Sequence, residues 1–392
     1  MLHATELPEP SASAVEVSNA LCGRIGQAIG AHGHIGFDDY MRMALYEPGL
    51  GYYQAGAVKF GRAGDFVTAP ELSPMFGRCI ARQCAEILEH TQGRILEFGA
   101  GSGRLAAQVL TGLAAADAVP ERYEIFELSP ELRDRQRSTI RRDAAPLLGR
   151  VEWITEITQQ PQDGVIIANE ILDALPVKSF KTIAGQVYER RVQLLENRFS
   201  WLDVPADLML GRQVKKLLSS DIINSADEYI SEVNIGVNPW IADMARLMGN
   251  AVALLVDYGY PRSEYYHPQR INGTLQCYFR HRKHDDPFWF PGLQDITASV
   301  DFTHVAEAAD GSGLSVLGFA EQASFLLATG LLEEAEALSL GANEVERHRI
   351  AQETKVLTLP TEMGARFKVF AAGKGYNLPL RGFQIRDDRH RL

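Results

Sequence analysis

The spacing of apolar positions along the chain changes between two periods. Apolar residues recur at helical spacing from about Val15 to Ile29, and again after Ser73-Pro74, a pair typical of a helix start. Continuous apolar runs of strand length follow at 94–98, 123–128, 164–169 and 251–260. Because these runs alternate with helical patterns, the sequence predicts an α/β fold with a mainly parallel sheet.

The pattern changes between residues 177 and 250, which predicts an insertion between two core strands. The stretch "KSFKTIAGQVYERRVQLLENRFSWLDV" alternates like a meander of antiparallel strands, and 207–248 has a mostly helical pattern. Further strand candidates are "TLQCYFRHR", "LSVLGFAEQ" and "ARFKVFAAG". The predicted division is 1–93 (N-terminal helices and a ligand-covering loop), 94–176 (first half of the core), 177–250 (insertion) and 251–392 (second half of the core).

Composition and charge exclude several classes of protein. The 392 residues exceed one ordinary core, and no run of about 18 apolar residues predicts a membrane span. The net charge of −11 argues against a general nucleic-acid surface, which would need clustered Lys and Arg. The four scattered cysteines indicate reduced thiols and no structural zinc, and we expect no metal. With neither signal peptide nor presequence, a cytoplasmic location is predicted.

A glycine turn, Gly99-Ala100-Gly101-Ser102-Gly103, joins the strand at 94–98 to a helix. Arg104 stands where the dinucleotide fingerprint needs its third glycine, and the Gly-Lys-Ser/Thr of a Walker A loop is absent. Glycines let the backbone approach a ligand closely. Glu97, near the end of the strand, would repel a pyrophosphate but suits a ligand with positive centres. The ammonium and sulfonium groups of S-adenosylmethionine (SAM) fit this requirement.

A second carboxylate, Glu127, ends the next strand. In folds of this kind an acidic residue about 20 residues after the turn holds the ribose hydroxyls, and Glu127 lies somewhat farther along the chain than that. A carboxylate suits this role because it can accept both hydrogen bonds of a vicinal diol. The alternative is a helix-packing glycine cluster with two incidental acids, but strand, glycines, helix and acids agree better with a ligand site. The predicted cofactor-binding residues of this region are Glu97, Gly99, Ala100, Gly101, Gly103, Glu127 and Leu128.

Several stretches resemble the MidA family of class I SAM-dependent methyltransferases, from about Gly33 to Gly373. They are "GDFVTAPELSPMFG", "ILEFGAGSGRLA", "NEILDALPV", "SEVN", "VDYGY", "GTLQCYFRH", "QDITASVDF" and "MGARFKV". The resemblance implies a seven-stranded Rossmann-like SAM-binding core with an inserted α+β subdomain. It implies SAM as methyl donor and S-adenosylhomocysteine (SAH) as product. The mitochondrial members are arginine methyltransferases that assist assembly of respiratory complex I, so a protein arginine on a complex I subunit or its bacterial counterpart is the implied acceptor.

In that framework "NEILDALP" supplies the catalytic candidates Asn169, Glu170 and Asp173, directly after a core strand. Guanidinium is planar, permanently charged and suited to paired carboxylates, so Glu170 and Asp173 can orient it and help take up its proton. Asn169 is also a cofactor-binding candidate. The alternative is that Asn169 and Asp173 only cap the following turn.

Two further groups of residues are predicted to border the ligands. In "GDFVTAPE", Thr68, Pro70 and Glu71 are predicted to cover SAM, with Thr68 and Glu71 bonding its methionine end. Acceptor-binding candidates elsewhere are Glu232, Asn234, Asp257 and Tyr258. The first two have a solvated helix start as their alternative.

The sequence therefore predicts a SAM-dependent methyltransferase with a protein substrate and no nucleic-acid partner. Two alternatives stay open: methylation of a small molecule or RNA, and a SAM-binding assembly chaperone without turnover. The oligomeric state is not fixed by the sequence, and a dimer is compatible with it.

Overall fold

The computed structural model describes residues 7–54, 68–157 and 160–392. The helices, in chain order, are α1 (Ala12–Gly30), α2 (Phe37–Tyr46), α3 (Ala69–Leu72), α4 (Pro74–Thr91), α5 (Arg104–Ala115), α6 (Pro130–Asp143), α7 (Leu208–Leu217), α8 (Ser220–Asn224), α9 (Val237–Leu247), α10 (Arg262–Tyr265), α11 (Phe302–Gly311), α12 (Gln322–Ala328), α13 (Leu331–Ser339), α14 (Glu344–Thr358) and α15 (Met363–Arg366). The strands are β1 (Ile35–Gly36), β2 (Arg94–Phe98), β3 (Tyr123–Phe126), β4 (Val151–Ile154), β5 (Gln162–Asn169), β6 (Val177–Ile183), β7 (Gln186–Leu195), β8 (Arg198–Pro205), β9 (Tyr229–Asn234), β10 (Met248–Tyr260), β11 (Gln276–Phe279), β12 (Arg282–His284), β13 (Asp295–Thr297), β14 (Val300–Asp301), β15 (Ser315–Glu321) and β16 (Phe367–Lys374).

The described residues form two compact units. Unit 1 comprises 7–54, 172–237 and 260–301, and unit 2 comprises 68–157, 160–171, 238–259 and 302–392. Unit 1 therefore joins N-terminal and later segments to most of the predicted insertion. Residues 238–250 of that insertion belong to unit 2 instead, because α9 leads directly into the core strand β10.

Seven strands of unit 2 form the predicted sheet, in the order β15-β16-β10-β5-β2-β3-β4. Strands β10, β5, β2, β3 and β4 are parallel, and β16 runs antiparallel to both of its neighbours. The chain leaves β2 toward β3 and later returns to β5 on the other side of β2, so the strand order reverses there. Ligands bind at such reversals, outside the carboxyl ends of the strands.

The local sequence explains where helix α4 begins and how it packs in unit 2. The Ser73 side chain accepts a hydrogen bond from Met75 N at 3.3 Å and Pro74 occupies the first position, so α4 begins as predicted. Its apolar face is buried, and α4 packs against α5. Because β5 and β10 are buried on both faces, they read as continuous apolar runs rather than as alternating ones.

Unit 1 is built on an antiparallel sheet, β1-β7-β6-β9, to which β8 adds beside β7. The predicted meander is confirmed as β6, β7 and β8. The prediction of a mostly helical pattern over 207–248 was wrong for β9, which pairs antiparallel with β6 along six residues. A three-stranded sheet, β12-β11-β13, belongs to the same unit.

The core of unit 1 is rich in aromatic rings. The Phe37 ring lies 4.8 Å from that of Trp201, and the Tyr40 ring lies 5.3 Å from that of Phe288. The buried Tyr40 hydroxyl donates to the Pro287 carbonyl at 2.7 Å. Within the described part of the chain, no helix combines the length and apolar character needed to cross a membrane.

Candidate functional site

The glycine turn follows β2 in unit 2 with the backbone conformation that its glycines allow. Gly99, Gly101 and Gly103 have φ values of +64°, +53° and +84°. A Cβ on Gly99 would lie 2.2 Å from Ile171 Cδ1, and a Cβ on Gly103 would lie 2.8 Å from Gln136 Cα. The turn therefore needs glycine for both conformation and space.

Glu97 lies beneath this turn, inside the sheet. Glu97 is only 1% exposed, and its Oε2 accepts a hydrogen bond from the Tyr123 hydroxyl at 2.6 Å. Burial raises the pKa of Glu97 to about 7, against a smaller lowering by the Tyr123 hydrogen bond. The carboxyl group therefore changes charge near neutral pH.

Glu127 follows β3 and is held by two donors. Its Oε1 accepts from Ser129 N at 2.9 Å, and its Oε2 accepts from Gln136 Nε2 at 3.0 Å. Burial raises the pKa of Glu127, and these hydrogen bonds oppose the shift. The carboxylate is thus fixed in orientation beside the turn.

Gln136 is a site residue that the sequence did not reveal. This fully buried side chain on α6 also donates to Gly101 O at 3.1 Å and accepts from Trp153 Nε1 at 2.9 Å. It therefore links the glycine turn, Glu127 and β4. A glutamine within a helix of charged residues gives no sequence signal for such a role.

The described part of "GDFVTAPE" lies against the same turn, whereas Gly64 to Val67 fall outside the described residues. Glu71 on α3 accepts a hydrogen bond from the Ser102 hydroxyl and forms a 3.0 Å ion pair with Arg104 Nε. Gln108 Nε2 donates to Pro70 O at 2.8 Å. Thr68 precedes α3 as its N-cap residue. Pro70 and Glu71 are therefore anchored to α5 and to the turn before it.

Asn169 and Glu170 lie at the carboxyl end of β5. Glu170 has a left-handed backbone, with φ of +55°, and its N–H donates to Val256 O at 2.8 Å. Asn169 Nδ2 donates to Glu170 Oε1 at 3.1 Å. Asn169 Oδ1 is buried and has no hydrogen-bond partner in the described structure. A strained acidic residue beside a buried open acceptor is typical of a ligand site.

Asp257 and Tyr258 lie near the end of the neighbouring strand β10. Asp257 is buried, and its Oδ1 accepts from Tyr258 N at 2.9 Å. The Tyr258 ring contacts Phe367 edge-on, with 5.6 Å between the centroids. Their predicted contact with an acceptor stays a prediction.

Glu232 and Asn234, predicted to line the acceptor groove, make bonds within unit 1. The Glu232 carboxylate is buried and accepts from Thr274 N at 2.9 Å and Thr274 Oγ1 at 3.1 Å. Asn234 donates to Leu172 O at 3.2 Å and accepts from Gly236 N at 2.9 Å. Both side chains thus fasten loops to β9, and a contact with substrate stays a prediction.

Asp173 belongs to a buried cluster in unit 1 that sequence reasoning recognised only in part. Asp173 is 5% and Asp295 3% exposed. The Tyr53 hydroxyl donates to Asp295 Oδ1 at 2.9 Å, and the Tyr46 hydroxyl donates to Ala174 O at 2.9 Å.

The two tyrosine rings of this cluster are stacked, with centroids 5.5 Å apart. Burial and the charges of Asp295 and Asp173 raise the pKa of both tyrosines, so both hydroxyls stay protonated donors. Asp295 stands in "QDITASVDF", a stretch that resembles the family, and this was the available signal. No such signal marks Tyr46 or Tyr53.

These residues fit SAM, and the described chain shows no group of three or more His, Cys, Asp and Glu side chains arranged for a metal. The glycine turn has the left-handed backbone that glycine adopts readily, Glu127 holds its carboxylate beside it, and Asn169 Oδ1 is an open acceptor. The strand order, the turn and the two acids define a class I SAM-dependent methyltransferase.

The particular family follows from comparison with known sequences. Residues 79–320 match the model of a family described as "Putative S-adenosyl-L-methionine-dependent methyltransferase", and the chain belongs to this family. The predicted membership, activity class and cofactor are thereby confirmed.

Solved structures agree with this assignment. A COG1565 superfamily protein from Burkholderia thailandensis, bound to S-adenosyl-homocysteine, is 38% identical with a TM-score of 0.93, over 99% of this chain and 100% of that one. A native crystal structure of a protein of that superfamily from the same organism is 37% identical with a TM-score of 0.89, over the same shares.

Curated relatives are more distant in sequence but match over most of their length. The chain is 26% identical to the mitochondrial protein arginine methyltransferase NDUFAF7 of Danio rerio, over 92% of this chain and 88% of the relative. It is 26% identical to the Homo sapiens protein of the same name, over 86% and 80%.

Proposed function

We propose that this methyltransferase acts on protein arginine. The observation that carries the proposal is the carboxyl end of β5, where Glu170 stands in a left-handed backbone beside the open, buried Oδ1 of Asn169. A guanidinium offers five N–H donors, so it can satisfy an amide oxygen and a carboxylate together. The names of the curated relatives support the same acceptor.

For the cofactor, we assign the glycine turn and Glu127 to the adenosyl part of SAM. The two oxygens of Glu127 are held by Ser129 and Gln136, and a carboxylate oriented in this way can accept from both ribose hydroxyls. Glu97, Thr68, Pro70, Glu71, Ala100 and Leu128 complete the proposed site. When bound, SAM supplies an activated methyl group.

For the acceptor, we assign orientation and proton uptake to the two acids of "NEILDALP". Glu170 and Asp173 are three residues apart in the sequence, and a carboxylate of either kind can pair with an edge of a guanidinium. Methylation of a guanidinium nitrogen releases one proton, which Glu170 can accept. Within unit 1, Asp295 and the hydroxyls of Tyr46 and Tyr53 provide a polar environment around Asp173.

The family resemblance supports a narrower proposal about the acceptor protein. We propose a complex I subunit on the quinone side, or its bacterial counterpart, as the substrate. A cytoplasmic location of a bacterial type stays a prediction, since the curated relatives are named as mitochondrial.

The test is transfer of labelled methyl from SAM by the purified protein into an extract of cells that lack it. We expect one labelled protein band whose acid hydrolysate contains methylated arginine. Label in RNA or in small molecules would overturn the acceptor. Absence of label, with SAM still bound, would favour a chaperone.

Glu170→Gln should separate chemistry from cofactor binding. The amide keeps the side-chain shape but cannot accept a proton, so we expect methyl transfer to fall about 100-fold with SAM affinity unchanged. The matched control is Glu336→Gln, at an exposed position of α13. An equal loss of SAM affinity in calorimetry would move Glu170 into the cofactor site.

A further inference from the structure

An open groove of about 930 Å³ runs beside β4 in unit 2. One wall is α6, which contributes Arg133, Arg137 and Arg141, and the other is β4 with Trp153. None of the residues assigned above to SAM lines this groove. It is therefore a separate feature of the unit 2 surface.

The three arginines make one positive strip. They stand at i, i+4 and i+8 of α6, so they share one helix face at intervals of about 6 Å. Within the described chain, none of them forms an ion pair, whereas Arg142 on the same helix pairs with Asp143 at 2.7 Å. Three arginines without an ion pair are conspicuous in a chain of net charge −11, although the charge of Arg133 also acts on the Glu127 carboxylate.

The opposite wall is a free strand edge. Strand β4 is the last of the seven strands and pairs with β3 alone among the described strands. Ile154 O accepts from Glu127 N on the β3 side, at 3.1 Å. Backbone groups alternate in direction along a strand, so the N–H and C=O of Trp153 point away from β3. A free edge of this kind accepts an added strand.

We propose that this groove binds an extended acidic segment of a protein partner. Side chains on one face of an extended peptide repeat every ~6.6 Å, close to the ~6 Å interval of the arginines. The chemistry recognised is therefore acidic residues at alternate positions. The groove adds a docking function to the proposed methyl transfer and does not depend on its acceptor.

Nucleic acid fits the same groove less well. Asp134 and Glu152 stand in its lining, and each would repel a continuous phosphate chain. The Arg137 guanidinium lies over the Trp153 ring, 4.7 Å from its centroid, so that face is already covered and not open to a base. A peptide can place uncharged residues opposite the two acids.

The experiment uses the full chain saturated with SAH, so that binding at the cofactor site does not contribute. The probe is a fluorescein-labelled peptide in which glutamates alternate with threonines. Its binding is measured by fluorescence anisotropy. We expect saturable binding that weakens as salt is raised to ~150 mM. The triple variant Arg133→Gln, Arg137→Gln, Arg141→Gln should weaken binding about tenfold or more. Arg142→Gln is the matched control and should stay within about twofold.

A charge exchange tests the assignment independently of folding. Arg137→Glu should weaken binding of the alternating glutamate–threonine peptide and should strengthen binding of a version with lysine in place of the central glutamate. The proposal is overturned if the acidic peptide does not bind, or if the triple variant binds it unchanged. Tighter, arginine-dependent binding of oligothymidylate than of the peptide would assign the groove to nucleic acid instead.

Discussion

The two oxygens of Glu127 are already oriented by Ser129 N and Gln136 Nε2. Because preorganised charged hydrogen bonds contribute about 1.5–3 kcal/mol each, Glu127→Ala should weaken SAM binding roughly 10- to 100-fold or more. Calorimetry with SAM measures this directly. The fold should persist, since the lost carboxylate is only partly buried and belongs to a loop.

Glu121→Ala is the control for that substitution, because Glu121 is exposed just before β3. It should leave SAM affinity unchanged. An unchanged affinity in Glu127→Ala as well would contradict the ribose role and leave Glu127 as a structural partner of Gln136.

Glu97 makes the stability of the cofactor-free protein depend on pH. Its ordinary pKa of 4.5 is raised to about 7 in the folded state, so the folded state binds the proton more tightly than the unfolded state. Its contribution is therefore fully present below pH 4.5 and is lost as the pH rises to about 7. The loss amounts to about 3 kcal/mol across that interval.

Glu97→Gln isolates this contribution, because the amide has the same shape without a titrating proton. The denaturation midpoint of the wild type should fall relative to Glu97→Gln between pH 5 and 7, in samples without SAM. Parallel pH profiles for the two proteins would show that Glu97 does not change charge in this range.

Which residues the sequence could predict depended on their position relative to strand ends. Glu127 and Asn169 became candidates because they end apolar runs, and ligands of parallel sheets bind at such strand ends. Gln136 and Tyr53 act through contacts with residues far away in sequence, and nothing local marks them. Glu232 was predicted to line an acceptor groove, with a solvated helix start as the alternative, but it is buried on β9 and accepts a hydrogen bond from Thr274, 42 residues later.

At the scale of the element, the β2–turn–α5 unit depends on Gly103. Its φ of +84° costs an L-residue about 1–2 kcal/mol, and an added Cβ would lie 2.8 Å from Gln136 Cα. Gly103→Ala should displace α6 from the turn and loosen the Gln136 bond to Glu127. We expect a loss of SAM affinity of at least tenfold, with reduced thermal stability.

Gly149→Ala provides the comparison, since no atom lies within 4 Å of the Cβ it would add and its φ is not positive. It should bind SAM like the wild type. If Gly103→Ala also bound SAM normally, the close approach of α6 to the turn would not be needed for the cofactor.

Elements were predictable where one period dominated. Strands β5 and β10 are buried on both faces, so each appears as an apolar run, whereas β4 is only partly buried and was not predicted. Strand β9 was missed because "YISEVN" stands between two helical patterns and gains its strand conformation by pairing with β6. Local propensity does not contain that pairing.

At the scale of the whole molecule, the two compact units could not be predicted from the boundaries of consecutive chain segments. Unit 1 gathers three separate segments, including N-terminal helices and the β11–β13 sheet, because their apolar faces share one core. A prediction that divides the chain into consecutive domains cannot place three separate segments in one unit. The seven-stranded core was expected from the family resemblance, whereas the sequence pattern alone did not mark β4 as a strand.

This division separates the proposed tasks, because the adenosyl-binding candidates lie in unit 2 and the Asp173 cluster lies in unit 1. Asp295→Asn removes a buried charge from that cluster while keeping the acceptor for Tyr53. We expect methyl transfer to protein to fall about tenfold or more, chiefly through a higher KM for the acceptor, with SAM affinity within about twofold of the wild type.

Asp227→Asn, at an exposed position of the same unit, should change neither quantity. Calorimetry for SAM and initial rates against acceptor concentration together decide the matter. If Asp295→Asn lowered SAM affinity as much as Glu127→Ala, the cluster would serve the cofactor. If it lowered neither affinity nor rate, Asp295 would only hold Tyr53 in place, because a carboxamide oxygen accepts the same hydroxyl without the charge that a guanidinium requires.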